Sequence, residues 1–288
     1  MIKKCDICGE PISVYAKYCR HCLRHIPPNE SAACARALKA AWNPILKAFI
    51  CFYTGVVLEE NDFSSPWYMT FDHRIPGKKG DLVVCARWVN NMKATLSDTE
   101  LKAVIIEFDR SKKAKEPFNM AVAEFKYWKG PADQKPRKRP VETYHPGPEV
   151  LECIVCSRKT IPHSWYCPIC RVIAWKCARP TERVAPMKAS WDKVRQCFIC
   201  YLTGLEVELK DRKSPRYITF DHRIPRMPGT LAVAVAFANI MKTALSDDEF
   251  WLIVGELANH FRTGKPFNRD IIKFAYWKRP RMARKARK

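Results

Sequence analysis

The sequence predicts an α+β protein made of two tandem halves, each a four-cysteine knuckle followed by a strand–loop–strand–helix module and further helices. Two observations support this prediction: a set of motifs repeats at a constant spacing of 149 residues, and two cysteine clusters share one internal spacing. A length of 288 residues suits about two domains. An apolar fraction of 47% argues against a disordered chain.

The repeat is centred on the heptapeptide TFDHRIP, which occurs at 70–76 and again at 219–225. The same spacing of 149 residues relates further pairs without a gap: Trp42 and Trp191, Cys51 and Cys200, Asn90 and Asn239, Lys93 and Lys242, Phe118 and Phe267, and Trp128 and Trp277. Two colinear copies indicate a tandem duplication, and two copies alone favour globular halves over a solenoid.

The predicted domain boundaries follow the two copies. In chain order they are knuckle 1 at 1–27, a connecting helix at 28–48, module 1 at 49–129, a basic Pro-rich linker at 130–148, knuckle 2 at 149–175, a connecting segment at 176–197, module 2 at 198–280 and a basic tail at 281–288. The linker composition predicts an extended spacer. Phosphate contacts or a nuclear address are alternative roles for its basic core.

The charge of the chain is strongly unbalanced, with 51 Lys and Arg against 29 Asp and Glu, a formal net charge of +22. Such an excess favours a polyanionic partner, and nucleic acid is the first choice. The longest apolar run, at 231–238, is only strand-sized, so no membrane partner is expected. Without a signal-peptide pattern at the N-terminus, we expect a soluble intracellular protein whose cysteines stay reduced.

Eight cysteines form two clusters in which paired CxxC motifs are separated by ten residues. The clusters are Cys5, Cys8, Cys19 and Cys22 in the first half, and Cys153, Cys156, Cys167 and Cys170 in the second. Two CxxC pairs can present four thiolates to one tetrahedral ion, which predicts two Zn²⁺ sites. His21 lies inside the first cluster and is an alternative ligand, but its counterpart is Ile169, which favours four cysteines. Closed sites of this type are structural.

The other cysteines give a weaker signal. Cys197 and Cys200 form a further CxxC pair, but no second pair lies nearby and Cys197 aligns with Ala48. We interpret this pair as buried packing residues, and the same interpretation applies to Cys34, Cys51, Cys85 and Cys177.

The module around TFDHRIP has a readable order of elements. Strand-forming residues surround Thr70, and a second short strand is predicted at 82–85 and at 231–235 in the other copy. A helix is predicted over 88–95, carrying Asn90 and Lys93. The sequences SDTE at 97–100 and SDDE at 246–249 are capping boxes that open another helix, in the first copy through about Asp109.

An Asp-His pair on a strand, followed by a second strand and then Asn-x-x-Lys on a helix, resembles the HNH endonucleases, the ββα-metal fold. The resemblance implies that His73 and His222 are general bases. It also implies that Asp72 with Asn90, and Asp221 with Asn239, bind one divalent ion each, Mg²⁺ or Mn²⁺. The asparagine that ties the loop in that family is replaced by Asp81 and Thr230. Because threonine is the weaker loop-tying residue, the second site is expected to be looser.

The chemistry of these residues fits phosphodiester hydrolysis. A neutral imidazole can take a proton from water, since histidine titrates at a pH of about 6.5. A hard ion held by a carboxylate and an amide oxygen is magnesium-like. Four cations are candidates to offset the charge of the transition state: Arg74, Lys93, Arg223 and Lys242. The alternative is an Asp-His pair that only orients a buried imidazole.

The sequence therefore predicts a metal-dependent endonuclease with two HNH-like sites in one chain, a monomer acting as a pseudo-dimer with one site per strand. DNA is favoured over RNA as the substrate. Two alternatives remain: a non-catalytic nucleic-acid-binding protein with structural zinc that uses the modules as a scaffold, and a nuclease directed at RNA.

Overall fold

The computed structural model describes residues 3–27, 31–131, 152–160, 164–174 and 180–277. Cys177, the basic tail and most of the predicted linker lie outside the described residues. The described part is α+β as predicted, with helices and five two-stranded antiparallel sheets. No helix in it combines the length and the apolar character needed to span a bilayer.

The first sequence copy contains six strands and four helices among the described residues. They are β1 Lys3–Lys4, β2 Pro11–Ile12, α1 Arg20–Leu23, α2 Ser31–Ala41, β3 Trp42–Asn43, β4 Ala48–Phe49, β5 Met69–His73, β6 Leu82–Ala86, α3 Arg87–Lys93 and α4 Asp98–Ala114, with a 3₁₀ turn at Met120–Val122.

The second copy repeats this order from its knuckle helix onward. Its described elements are α5 Pro168–Ala174, α6 Pro180–Ser190, β7 Trp191–Asp192, β8 Cys197–Phe198, β9 Ile218–His222, β10 Leu231–Val235, α7 Ala236–Lys242 and α8 Asp247–Thr263, with a 3₁₀ turn at Arg269–Ile271.

The predicted strand–loop–strand–helix order is confirmed in both copies. In the first, β5 pairs antiparallel with β6 so that Asp72 faces Val83 and His73 faces Leu82. Helix α3 follows β6 without a loop and buries Trp88, Val89, Met92 and Lys93. In the second, Asp221 faces Ala232 and His222 faces Leu231. The Asp-His pair therefore stands at the end of a hairpin, with the Asn-x-x-Lys helix packed against it.

The loop between the paired strands is closed in both copies. The backbone of Arg74 donates to the carbonyl of Asp81 at 3.0 Å, and that of Arg223 donates to the carbonyl of Thr230 at 2.9 Å. The hydroxyl of Thr230 also lies 3.1 Å from the Ile224 carbonyl and 2.7 Å from the Met227 carbonyl. The Thr230 hydroxyl thus binds a carbonyl of its own loop, and the looser second site stays a prediction.

Both predicted capping boxes are present. The Ser97 amide donates to Glu100 Oε2 at 2.8 Å, and the Glu100 amide donates to Ser97 Oγ at 3.3 Å. Ser246 and Glu249 make the same pair of bonds at 3.0 and 3.3 Å. Each box satisfies backbone donors that the first helical turn leaves open. Helix α4 extends beyond the predicted end near Asp109.

Contacts group the described residues into two units that do not coincide with the sequence copies. Unit 1 contains 3–27, 31–109, 121–127 and 243–277, and unit 2 contains 110–120, 128–131, 152–160, 164–174 and 180–242. The domain limits drawn from the repeat stay predictions. The grouping adds that each unit includes chain from both copies.

The sequence Pro-Phe-Asn occurs at 117–119 and, 149 residues later, at 266–268, and these two segments show how each unit combines the copies. In unit 1, the Phe267 amide donates to the Thr54 carbonyl at 3.1 Å, and the Phe267 ring lies 6.0 and 5.5 Å from the rings of Trp67 and Trp88. In unit 2, the repeat-related Phe118 amide donates to the Thr203 carbonyl at 2.8 Å. The core beside each hairpin is therefore completed by the phenylalanine of the other copy.

This exchange predicts that Phe267→Ala weakens the core beside the first hairpin. Removing a buried phenylalanine costs about 3–5 kcal/mol, and Phe267 is 3% exposed. We expect hydrogen exchange to accelerate in peptides that contain Trp67 and Trp88. Leu252→Ala, at a site 50% exposed on α8, is the control and should change little. Loss of protection confined to the second hairpin, at 218–242, would contradict the exchange.

Candidate functional site

The two cysteine clusters assemble as predicted. In each cluster the four sulfur atoms lie within 4.8 Å of one another. Sγ of Cys8 is 3.6 Å from Sγ of Cys19, and Cys156 is 3.6 Å from both Cys167 and Cys170. A tetrahedral zinc with Zn–S bonds of about 2.3 Å places its sulfurs about 3.8 Å apart. Each cluster therefore has the donor set and spacing to hold a metal such as zinc.

The electrostatics of the thiols are the same in both clusters. Burial acts to raise the pKa of Cys5 and Cys153, but backbone hydrogen bonds outweigh it and lower each pKa to about 7. Burial raises the pKa of Cys8 and Cys156 to about 11. One thiol per cluster, Cys5 or Cys153, thus has a pKa near neutral, while Cys8 and Cys156 need a cation to stabilise their thiolates.

His21 does not join the first cluster, because its Nε2 lies 3.2 Å from the Glu60 carboxylate. Cys197 and Cys200 are buried, as are Cys34, Cys51 and Cys85. Among the described residues, metal-compatible groups of four cysteines occur only at the two predicted positions.

The Asp-His hairpin of the first copy is built around a buried ion pair. Lys93 is fully buried, and its Nζ lies 3.0 Å from Asp72 Oδ2 and 2.6 Å from the His73 carbonyl oxygen. The hydroxyl of Tyr53 donates to Asp72 Oδ2 at 2.7 Å. Lys93 therefore cannot touch a bound phosphate in this arrangement. It holds the backbone of His73 and the charge of Asp72.

The second copy repeats the ion pair. Lys242 is fully buried, with Nζ 3.0 Å from Asp221 Oδ2 and 2.8 Å from the His222 carbonyl oxygen. Tyr201 donates its hydroxyl to Asp221 Oδ2 at 2.5 Å. The two copies thus place a lysine and a tyrosine around the aspartate, and in both the lysine also binds the histidine carbonyl.

The tyrosines that complete these networks do not stand at matching positions. The counterpart of Tyr53 is Leu202, and the counterpart of Tyr201 is Phe52. Burial, followed by the charge of Asp72, raises the pKa of Tyr53 and keeps its hydroxyl protonated as a donor. A tyrosine hydroxyl binds the aspartate in both copies, although the two tyrosines occupy adjacent and not matching positions of the repeat. The copies therefore share the contact and not the position of the tyrosine.

Asn90 and Asn239 fix their helices to the hairpin. Nδ2 of Asn90 donates to Thr70 Oγ1 at 3.3 Å and to the Phe71 carbonyl at 3.1 Å. Asn239 makes the equivalent bonds to Thr219 and Phe220 at 3.0 and 3.4 Å. The amide nitrogens are thereby occupied. Within the described part of the chain, no hydrogen bond engages Oδ1 of Asn90, so this oxygen can serve as a metal ligand.

The two histidines are half-buried beside the aspartates. Nδ1 of His222 is buried and has no hydrogen-bond partner within the described residues. An imidazole nitrogen without a protein partner retains a free donor or acceptor position. The general-base role of His73 and His222 stays a prediction.

Arg74 belongs to a wider polar network. Its Nε donates to Asp98 Oδ2 at 2.8 Å, and this hydrogen bond raises the pKa of the guanidinium. The Tyr53 hydroxyl oxygen also lies 2.6 Å from the other oxygen of Asp98, so its single proton is shared between the two carboxylates. The guanidinium of Arg74 lies over the Phe52 ring at 5.3 Å, and that of Arg223 lies over Tyr201 at 5.8 Å.

Sequence reasoning missed Asp98 and the two tyrosines. The repeat could have identified Asp98 as a site residue, because Asp98 lies in the Leu-Ser-Asp sequence that recurs in the second copy with Asp247 as its counterpart. Tyr53 and Tyr201 were not readable, because the repeat aligns each of them with an apolar residue. Comparison of the chain with protein-family models, curated proteins and solved structures gives no match. The family resemblance therefore rests on the motif residues.

Cysteine substitutions test the two clusters separately. We expect Co²⁺-loaded protein to show thiolate-to-cobalt charge-transfer bands. The intensity of these bands should fall by about half in Cys22→Ser, and by about half in the separate variant Cys170→Ser. Cys197→Ser, a buried cysteine outside both clusters, is the control. Equal band loss in the control would contradict the assignment of ligands.

Removing the buried lysine tests the ion pair. Lys93→Met leaves Asp72 buried without its cation, and we expect a loss of about 3–5 kcal/mol in the free energy of unfolding. Adding Asp72→Asn should recover part of that loss in a double-mutant cycle. Lys102→Met, at an exposed position of α4, is the control. Additive effects of the two substitutions would show that the pair does not stabilise the hairpin.

Proposed function

We propose that the protein is a metal-dependent endonuclease that cleaves DNA, with one HNH-like site in each sequence copy. The observation that supports this most is the duplicated site itself. Both copies place an Asp-His pair at the end of a hairpin. In both, an asparagine and a lysine of the following helix donate hydrogen bonds to backbone carbonyls of the strand that carries the pair. Packing alone does not require an asparagine amide and a half-buried histidine at the same place twice.

In this proposal Mg²⁺ or Mn²⁺ is held by Asp72 and Asn90, and in the second copy by Asp221 and Asn239. The residues fit a hard cation because each pair offers a carboxylate and an amide oxygen. In the first copy, no hydrogen bond from a described residue engages Asp72 Oδ1 or Asn90 Oδ1. When bound, such an ion stabilises the leaving oxygen and the charge on the phosphate.

The protein residues then have distinct roles. His73 and His222 accept the proton of the attacking water. Lys93 and Lys242 act as positioning residues, because their burial restricts them to the aspartate and the histidine backbone. Arg74 and Arg223 are the better candidates to meet a phosphate, since the Arg74 side chain is 49% exposed. The net charge of +22 supports a long polyanion as substrate.

The cysteine clusters are proposed to hold Zn²⁺ as structural ions. Four thiolates leave no open position for water, so these ions fold the knuckles and do not catalyse. The knuckle sheet in the first copy consists only of the two-residue strands β1 and β2. A segment with so little secondary structure gains its stability from the metal.

Cleavage assays test the proposed activity. We expect Mg²⁺-dependent cleavage of duplex or branched DNA that falls by about 10²–10⁴-fold at one strand in His73→Ala and at the other in His222→Ala. His260→Ala, a histidine outside both sites, should retain activity. If each single variant abolished cleavage of both strands, the assignment of one site to each strand would fail.

A second candidate is a non-catalytic nucleic-acid-binding protein, and the buried ion pair favours it. Lys93 already compensates the charge of Asp72, so the fold does not need a cation at that carboxylate. Substrate panels decide between the two. If plasmid, single-stranded DNA, junctions and RNA all stayed intact with Mg²⁺ and Mn²⁺ while binding persisted, the binding role would replace the nuclease. Cleavage of RNA alone would leave the nuclease and change its substrate.

A further inference from the structure

A cluster of two histidines and a glutamate lies where the first knuckle meets its module. Nε2 of His25 is 2.7 Å from Glu60 Oε2, and Nε2 of His21 is 3.2 Å from the same oxygen. The three ligand atoms lie within 4.8 Å of one another. His25 and Glu60 are largely buried, with side chains 7% and 14% exposed. We name these three residues the His-Glu cluster.

The second sequence copy replaces the whole cluster by apolar residues. The counterparts of His21, His25 and Glu60 are Ile169, Ile173 and Leu209, and that of the neighbouring Arg24 is Val172. The surrounding aromatic pair is unchanged, since Trp42 and Phe49 match Trp191 and Phe198. The second copy thus has no metal-ligating side chain at these positions. The polar set of the first copy carries a desolvation cost that the apolar set avoids.

The two hydrogen bonds at His25 Nε2 cannot both form at once. Nε of Arg24 donates to His25 Nε2 at 3.0 Å, so that this nitrogen acts as an acceptor. The same nitrogen then cannot donate to Glu60 Oε2, which lies 2.7 Å away. Nε2 of His21 is a buried atom with no hydrogen-bond partner within the described residues. Glu60 Oε2 also accepts from Arg24 Nη2 at 3.1 Å. With both Nε2 atoms unprotonated, the lone pairs of the two imidazoles converge on this same carboxylate.

A transition-metal ion satisfies these three atoms together. Imidazole nitrogens and a carboxylate oxygen are zinc ligands, and bonds of about 2.0–2.2 Å in a tetrahedron place the ligand atoms about 3.3–3.6 Å apart. The 3.2 Å separation of His21 and Glu60 is close to this value, and the 2.7 Å separation needs an opening of under 1 Å. Arg24 is 46% exposed and can move its guanidinium into solvent.

We propose that His21, His25 and Glu60 form a third transition-metal site, beside the two four-cysteine clusters, selective for a borderline ion such as Zn²⁺. The site is separate from the four-cysteine clusters and from the proposed Asp-His sites, and it occurs only in the first copy. Three protein ligands leave the fourth position open to water or to a ligand oxygen. Binding fastens the first knuckle to its module through a metal bond, where the second copy has only apolar residues at the matching positions.

Metal stoichiometry tests this proposal on the full-length protein. After loading with Co²⁺ and removal of free metal, we expect three ions per chain in the wild type and in the control His260→Ala. We expect two ions in His25→Ala and in Glu60→Gln, with the thiolate-to-cobalt bands of the cysteine clusters unchanged. The measurement is independent of DNA cleavage, so it stands whether or not the proposed nuclease activity is found.

The controls cover a folding defect. A loss of thiolate bands in His25→Ala would indicate that this variant disturbs the folding of the cysteine knuckle. Glu60→Gln then tests the third ion alone, because Glu60 is far in sequence from the cysteines. Two ions per chain in the wild type would overturn the proposal. A third ion that persisted in both His25→Ala and Glu60→Gln would overturn it as well, since it would then be bound elsewhere.

Discussion

The buried ion pair between a lysine and an aspartate is the constraint on which each hairpin depends. Lys93 reaches from α3 to Asp72 and to the His73 carbonyl on β5, so one ammonium group joins helix, strand and motif. Burying two charges is expensive, and the pair is favourable only when hydrogen bonds satisfy the remaining lone pairs. Tyr53 supplies such a bond and extends the network to Asp98. The backbone carbonyl of His73 is held by this network.

The duplication shows which parts of that constraint are required. The lysine, aspartate and asparagine contacts recur with nearly equal distances in both copies, whereas the tyrosine reaches the aspartate from different positions. Thr230 closes its loop with hydroxyl bonds where Asp81 makes a 3.9 Å ion pair with Lys78. Each copy thus meets one set of contacts with partly different residues. The residues that contact the motif have diverged between the copies more than the geometry of the motif has.

Local sequence signals predicted the elements of the module correctly. The hairpin, the following helix and the capping boxes depend on residues that are near in sequence, and strand propensity and Ser-x-x-Glu spacing report on such contacts directly. The cysteine spacing predicted two metal-compatible clusters for the same reason. The exchange of Phe118 and Phe267 between copies was not predictable, because the repeat is equally consistent with each phenylalanine packing on its own module. The burial of Lys93 was also hidden, since lysine is rarely fully buried.

Asp72 stabilises the hairpin through one carboxylate oxygen and is the proposed metal ligand through the other. Its Oδ2 accepts bonds from Tyr53 and Lys93, which fix the carboxylate without a metal. In the proposed nuclease Oδ1 is the carboxylate oxygen left for a divalent ion, and Nδ2 of Asn90 is already bonded to β5. A carboxylate neutralised by lysine attracts a cation less than a bare one does, so in that proposal a phosphate of the substrate supplies the missing negative charge. The same contacts that stabilise the hairpin therefore tie metal binding to the presence of nucleic acid in the proposed nuclease.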